Sequence, residues 1–311
     1  MRDAFAAAIT ALAAEDERVV LLSGDIGNRM FDRFKETAPE RFINCGVAEA
    51  NMMGLAAGLA LDGMRPFVYT ITPFVTTRCL EQIRVDVAYN DAPVAIVGVG
   101  SGLGYASLGA THHSCEDLAF LRAIPNMTVF APADALEVRG GVDAAIRLDG
   151  PFYMRIGKKG EPVVHEQVPS MQPGGSLLVR PGRDVCILSV GVMLPSALAA
   201  AERLAADGID CAVVSMYSVK PLDTAMLARV FDEVPLVVTL EEHSLAGGAG
   251  SAVAEWLVDR GDARARLVRL GTRDAFMHEA GGTAHARVWH GIGEDDVVLT
   301  VRAAAERIAA G

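Results

Sequence analysis

The stretch RFINCGVAEANMMGLAAGLA, from Arg41 to Ala60, predicts one strand, one turn and one helix, an alternation that the rest of the chain repeats. Gly46 marks the turn, and the small apolar residues after it favour a packed helix. Glu49 is the one charged side chain within that helix. A carboxylate among apolar neighbours must find a partner or hold its proton. A glutamate in a first helical turn is also favoured by the helix dipole and can reach solvent. From this stretch alone, both interpretations of Glu49 remain open.

Short apolar runs alternate with helical periodicities on both sides of this stretch. Val19–Leu22 and Val94–Val99 are continuous apolar runs, as expected for parallel strands covered on both faces. Phe74–Tyr89 and Ala133–Leu148 have the spacing of amphipathic helices. Strands that alternate with helices in this way predict an α/β fold with mostly parallel sheets.

The alternation is interrupted at Glu161–Gly175, which holds three prolines and two glycines and has little periodicity. The chain length of 311 residues is also more typical of two domains than of one. We therefore predict two doubly wound α/β domains, at residues 1–160 and 176–311, joined by a linker at residues 161–175.

Composition excludes several classes of partner. The net charge of −11 argues against nucleic acid or an anionic membrane as the main partner. The five cysteines are scattered and form no CxxC pair, which is typical of reduced thiols. No apolar run approaches the roughly 18 residues that a membrane span needs. We expect a cytoplasmic protein.

Polar groups follow several predicted strands, where α/β sheets place their sites. Gly98–Gly109 is rich in glycine, but none of its glycine triples has the spacing of the dinucleotide-binding fingerprint. His112 and His113 come next and, with Cys115, could suggest zinc, although no fourth ligand has suitable spacing. A histidine that serves the site is favoured, because imidazole exchanges protons near neutral pH. A surface histidine pair remains the alternative.

Two further groups carry charge at predicted strand ends. Arg155 precedes Lys158 and Lys159, which suits a phosphate or carboxylate, or equally a solvated basic turn. In the second domain, residues 241–243 and 247–250 end a strand and open a helix. That arrangement could bind an anion, but packing between domains or subunits is the simpler explanation.

In order along the chain, these segments resemble the C-terminal half of transketolase and of 1-deoxy-D-xylulose-5-phosphate synthase. The chain is most similar to the stand-alone C-terminal subunits of split bacterial transketolases. The segments that carry the resemblance are GDIG (Gly24–Gly27), RFINCGVAEAN (Arg41–Asn51), AAGLALDGMRPFVY (Ala56–Tyr69), RCLEQIRVDVAY (Arg78–Tyr89), GATHHSCEDLAFLRAIPNMTVFAPAD (Gly109–Asp134), SVKPLD (Ser218–Asp223) and EEHSLAGGAGSAVAE (Glu241–Glu255).

The resemblance implies a pyrimidine-binding domain followed by a transketolase C-terminal domain, both from a thiamine diphosphate enzyme. In that family a GDG…N signature holds Mg²⁺ and the diphosphate, and this sequence contains no GDG. The resemblance therefore implies that the chain holds half of a cofactor site and no metal ligands. A separate diphosphate-binding subunit would supply the rest, around a dimer of this chain in an α2β2 assembly.

By the same resemblance, Glu49 hydrogen-bonds the aminopyrimidine of the cofactor. This bond favours the imino tautomer that removes the proton from the thiazolium. Phe74 would stack on the pyrimidine, and Arg78 would contact the cofactor or a phosphate. A glutamate in an apolar setting suits this task, since it can share a proton with a ring nitrogen.

The resemblance also assigns substrate contacts. His112 would face the substrate and assist proton transfer, with His113 beside it, and Arg155 would contact a substrate phosphate. Ala50 and His113 both stand where family members usually have glutamine, and Tyr217 replaces an arginine. Leu108 stands where the sugar-phosphate enzymes have an aspartate that binds a substrate hydroxyl. The loss of this aspartate predicts an altered donor, such as a deoxygenated sugar.

The expected activity is transfer of a two-carbon ketol unit from a ketose, with a phosphorylated donor favoured, to an aldehyde. We expect the isolated chain to be inactive and to bind thiamine diphosphate weakly. The β subunit of a 2-oxo acid dehydrogenase is an alternative, because it shares both domains and the glutamate. Its sequence matches less well at the THH loop, residues 111–113, and at RAIPNMTV, residues 122–129. A non-catalytic scaffold subunit is a third interpretation.

Overall fold

The computed structural model describes residues 1–27 and 29–309, so residues 310 and 311 of the predicted second domain lie outside it. The described residues form two sheets, both mostly parallel, which confirms the α/β prediction. The strands are β1 (Val19–Ser23), β2 (Phe42–Asn44), β3 (Arg65–Ile71), β4 (Ala95–Val99), β5 (Thr128–Phe130), β6 (Phe152–Ile156), β7 (Leu177–Arg180), β8 (Val185–Ser189), β9 (Cys211–Ser215), β10 (Ser218–Lys220), β11 (Leu236–Ser244) and β12 (Arg266–Thr272).

Helices connect most of these strands. They are α1 (Arg2–Glu15), α2 (Asp32–Thr37), α3 (Glu49–Leu61), α4 (Thr72–Val75), α5 (Leu80–Gln82), α6 (Asp117–Ala123), α7 (Ala135–Arg147), α8 (Leu194–Ala206), α9 (Thr224–Glu233), α10 (Ala249–Arg260), α11 (Thr283–His290) and α12 (Glu294–Ala309). Within the described ranges, no helix is both long enough and apolar enough to cross a membrane.

The first sheet has the order β10-β5-β6-β4-β3-β1-β2 and is parallel except for β10. Successive residues of its central strands point into two different cores. Leu21 packs with α1 and α7 on one face, while Leu22 packs with α3 and α6 on the other. Both faces are therefore covered, which explains why the strands are continuous apolar runs in the sequence.

The second sheet has the order β12-β11-β8-β9-β7, with β7 antiparallel to its neighbour. Ile187 faces α8 and α12, and Leu188 faces α9 and α10. The core on the α9 side is continuous with the core beneath α3 of the first sheet. Buried apolar surface therefore joins the two sheets.

Two short strands were not predicted. The strand β7 lies at an edge, and β10 crosses from the second half of the chain to pair antiparallel with β5 of the first sheet. Helix α11, which follows two glycines at 281 and 282, was not predicted either. The domain limits remain a prediction, and β10 shows that a segment beyond the predicted linker completes the first sheet.

The prediction of a single helix at Phe74–Tyr89 is wrong. The chain instead forms α4, a 3₁₀ turn at Thr77–Cys79, α5, and a π-helical turn at Ile83–Ala88. Thr76 ends α4 with φ −108° and ψ −78°, which depart from regular helix values, and its hydroxyl donates to the carbonyl of Thr72. Such back-bonding by threonine competes with regular helix geometry. The break places Phe74 and Arg78 on separate short elements.

Candidate active site

Glu49 lies at the start of α3, immediately beyond the carboxyl end of β2. Gly46 makes the turn between them with a φ of +69°, a conformation that L side chains rarely adopt. The Glu49 side chain is only 2 % exposed. The carboxylate thus occupies a helix N-terminus, where the dipole favours it, but it is enclosed by the protein. The solvated interpretation of Glu49 is therefore excluded.

The stem of Glu49 packs against the ends of two neighbouring strands. A Cβ atom at Gly24, after β1, would lie 3.0 Å from the hydroxyl oxygen of Thr70 in β3 and 3.4 Å from Cγ of Glu49. The Thr70 hydroxyl is buried and has no hydrogen-bond partner among the described residues. Gly24 therefore leaves the room that Glu49 needs, and the neighbouring Thr70 hydroxyl is a buried polar group without a partner among the described residues.

The Glu49 carboxylate is paired with Arg78. Nη1 of Arg78 donates to Oε2 of Glu49 at 2.7 Å. The guanidinium carbon of the same arginine lies 4.2 Å from the centre of the Phe74 ring. The Arg78 side chain is 45 % exposed. The structure therefore brings together the three residues predicted to bind the cofactor.

His112 joins this group from the glycine-rich loop. Its ring meets the edge of Phe74, with 5.2 Å between ring centres, and lies 5.9 Å from Tyr105. Thr111 Oγ1 lies 2.9 Å from His112 Nδ1. Burial, and then the charges of His113 and Lys158, lower the pKa of His112. The imidazole is therefore neutral at physiological pH and can accept a proton at this site.

Tyr105 lies at the candidate site but was not singled out from the sequence, and Lys158 was named only as part of the basic turn after Arg155. Nζ of Lys158 lies 4.4 Å from the centre of the Tyr105 ring, which in turn contacts His112. Lys158 and Lys159 also line a cavity of about 260 Å³ that is shared with Arg287 of α11. The basic sequence YMRIGKKG pointed to this region, but it did not indicate which of its cations would reach the site.

The structure does not bring Arg155 to this group. Its side chain is 5 % exposed, and its Nη1 lies 3.3 Å from a carboxylate oxygen of the buried Asp117. Its Nη2 donates to the carbonyls of Ser114 and Glu242, at 3.3 Å and 3.1 Å. Neither a solvated turn nor an open phosphate site fits these contacts. The phosphate role of Arg155 stays a prediction that its surroundings do not favour.

His113 has different neighbours from His112. Its Nε2 lies 3.2 Å from the carbonyl of Ala106, and the side chain lines a separate cavity of about 220 Å³ that also contains His290. Among the described residues, no three His, Cys, Asp or Glu side chains are grouped as metal ligands.

The residues that depart from the family pattern differ in environment. Leu108 is 52 % exposed at the end of a 3₁₀ turn in the loop that carries His112. Tyr217 is buried, packs edge-on against Phe130, and donates its hydroxyl proton to the carbonyl of Gln172. Leu108 is therefore open to solvent, whereas Tyr217 is held in the core and hydrogen-bonds to the predicted linker.

The arrangement suits a flat heteroaromatic ring. The Arg78 guanidinium is planar, stacks on Phe74 and offers an N–H to Glu49. An aromatic ring could stack on Phe74 in the place of the guanidinium and share a proton between a ring nitrogen and the Glu49 carboxyl group. The residues present therefore fit an aminopyrimidine.

Comparison with known proteins agrees with this fit. Residues 1–161 match the transketolase pyrimidine binding domain, and residues 174–297 match the transketolase C-terminal domain. The chain belongs to the transketolase family. Membership of this family implies the use of thiamine diphosphate.

This transketolase-family chain is similar over most of its length to separate subunits. It is 36 % identical to the 6-deoxy-6-sulfo-D-fructose transketolase subunit SqwH of Clostridium sp. (strain MSTE9), over 99 % of this chain and 95 % of that protein. It is 36 % identical to an apulose-4-phosphate transketolase subunit of Actinobacillus succinogenes, over 85 % of each. A solved structure described as "Split gene transketolase, inactive beta4 tetramer" superposes with a TM-score of 0.90, at 38 % identity and 98 % coverage of both chains. The resemblance to a split transketolase subunit is confirmed.

Proposed function

We propose that this chain is the pyrimidine-binding subunit of a two-subunit, thiamine diphosphate-dependent transketolase that moves a two-carbon ketol unit from a ketose to an aldehyde. The observation that carries the proposal is the enclosed Glu49 carboxylate, which Arg78 links to the face of Phe74, with His112 at the edge of the same ring. Thiamine diphosphate, when bound, supplies the heterocycle that stabilises the carbanion and carries the two-carbon unit.

Each site residue has a separate task in this proposal. Phe74 supports the pyrimidine by stacking, and Glu49 shares a proton with a ring nitrogen in a setting that excludes water. The neutral imidazole of His112 accepts and returns a proton at the substrate oxygen next to the reacting carbon. These tasks need groups of fixed position, which the helix start of α3 and the short helix α4 provide.

The cavity lined by Lys158, Lys159 and Arg287 favours a ketose donor that carries a negative charge. Its lining also includes Glu161 and Glu242, but these are paired with the N-terminal amine and with Arg287. The two lysines therefore supply positive charge for a phosphate or sulfonate. The names of two similar proteins refer to a sulfo-sugar and a sugar phosphate. Leu108 has no polar group to offer a substrate hydroxyl from the loop that carries His112, which favours a donor lacking that hydroxyl.

The proposal includes a partner. The chain has no GDG sequence, so the diphosphate and Mg²⁺ are assigned to a second polypeptide that carries this signature. Two copies of each chain would form the α2β2 enzyme. The solved structure of a similar chain is described as an inactive tetramer of β subunits, which agrees with a need for the partner.

The test is ketol transfer by the chain mixed with its GDG-containing partner. The Glu49→Gln variant should lower kcat by at least about a hundredfold, since general acid–base groups contribute on the order of 10²–10⁴. Glu40→Gln, at an exposed glutamate before β2, is the matched control and should leave kcat unchanged. Full activity of the Glu49 variant would indicate a scaffold. Decarboxylation of a 2-oxo acid without ketol transfer would indicate a dehydrogenase component.

A further inference from the structure

Arg78 covers the face of Phe74 that the proposed function assigns to the pyrimidine. Its guanidinium lies 4.2 Å above the ring centre and donates to Glu49 at 2.7 Å. Stacking on Phe74 and hydrogen bonding to Glu49 are the two contacts expected of the aminopyrimidine. Two planar groups cannot occupy one face of one ring, so Arg78 and the pyrimidine exclude each other in this conformation.

We propose that Arg78 closes the ring site of the free subunit and is displaced when the aminopyrimidine binds. The inference rests on the proposed function, because that function defines Glu49 and Phe74 as the position of the ring. Arg78 is then a positioning residue: it pairs with Glu49 until the ring replaces it.

The three side chains differ in their freedom to move. Glu49 is held at the start of α3 and is 2 % exposed, whereas the Arg78 side chain is 45 % exposed. Arg78 also belongs to the 3₁₀ turn Thr77–Cys79, which follows the backbone break at Thr76. An exposed side chain on a short turn can change rotamer without disturbing a packed helix. Arg78 is therefore the side chain that moves, and Glu49 and Phe74 stay in place to bind the ring.

The ion pair with Arg78 stabilises the enclosed Glu49 carboxylate in the free subunit. An enclosed carboxylate without a partner is costly, and Arg78 supplies a charged donor until the ring arrives. The ring must then break this pair before it can bind. The weak cofactor binding expected of the isolated chain would have two causes, the missing diphosphate half and the closed ring site.

Calorimetric titration of the isolated full-length chain tests the inference directly. The probe is a methylated aminopyrimidine that carries neither thiazolium nor phosphate, so the partner's half of the site is irrelevant. Arg78→Ala should tighten its binding by about tenfold, the ratio that corresponds to one charge-assisted hydrogen bond. Arg78→Gln, which removes the charge but keeps a planar amide, should do the same if the alanine variant is unstable. Arg84→Ala removes another exposed arginine of the neighbouring π-helical turn and should change nothing.

Displacement has its own signal. In isotope-labelled chain, the Nε–H resonance of Arg78, assigned by its loss in the Arg78→Ala variant, should move towards that of a solvated arginine as the probe binds. Binding without this shift, or weaker or equal binding by both Arg78 variants, would overturn the inference and leave the proposed function standing. Failure of the wild type and every variant to bind the probe would overturn both.

Discussion

Replacing Arg155 by methionine tests whether this arginine stabilises the fold or binds a substrate phosphate. The guanidinium contacts Asp117 at 3.3 Å and the carbonyls of Ser114 and Glu242, and it is 5 % exposed. Asp117 also accepts the hydroxyl proton of Tyr153 at 2.5 Å. Arg155→Met leaves this carboxylate buried without its charged partner. Breaking a buried ion pair in this way costs about 3–5 kcal/mol, so we expect the free energy of unfolding to fall by that amount.

Urea unfolding of the isolated chain measures this loss. The double variant Arg155→Met with Asp117→Asn should lose less than the sum of the two single variants, because it leaves no unpaired charge. Lys159→Met removes an exposed cation four residues away and should change stability by less than about 0.5 kcal/mol. If Arg155→Met unfolds like the wild type, and the mixed enzyme shows a raised KM for an anionic donor, the structural reasoning is refuted.

Three further predictions concern the linker, the donor and the packing around Glu49. Glu137 Oε1 lies 2.7 Å from His165 Nε2, and this hydrogen bond raises the pKa of His165. Its stabilisation should be complete below about pH 6.5, the ordinary histidine value. The stabilisation should be lost as the pH rises through the higher pKa that His165 has in the folded chain. If the melting temperatures of His165→Gln and the wild type change with pH in parallel, this prediction is contradicted. Leu108→Asp should raise kcat/KM for hydroxylated donors relative to deoxygenated ones, measured by competition; an unchanged ratio would remove Leu108 from the donor site. Gly24→Val brings side-chain atoms against Thr70 and Glu49, so kcat of the mixed enzyme should fall while the circular dichroism spectrum stays unchanged; an unchanged kcat would show that Glu49 tolerates the displacement.

The sequence predicts best those elements whose surroundings are uniform. Strands β1 and β4 are covered on both faces, so apart from Ser23 at the end of β1 they are continuous runs without polar side chains. The short strand β10 carries no such pattern, because its place depends on pairing with β5 from another part of the chain. The break at Thr76 was hidden because the apolar spacing of Phe74–Tyr89 continues through it.

The site residues also differ in whether local sequence or distant contacts determine their surroundings. Glu49 was conspicuous because a lone carboxylate in an apolar helix has few explanations. Its partnership with Arg78 joins residues 29 positions apart, and no local spacing encodes it. Arg155 suggested an anion site because it is a cation at a strand end, and its contacts with Asp117 and Glu242 are not encoded by any local spacing. Whether it meets solvent or Asp117 is decided by how the second domain packs over it.

A cofactor site divided between two chains is the central claim. Calorimetric titration of thiamine diphosphate with Mg²⁺, into the isolated chain and into the mixture with its GDG-containing partner, tests this directly. We predict tight, Mg²⁺-dependent binding by the mixture, and weak binding by the isolated chain that does not depend on Mg²⁺. Tight, Mg²⁺-dependent binding by the isolated chain would contradict the divided site.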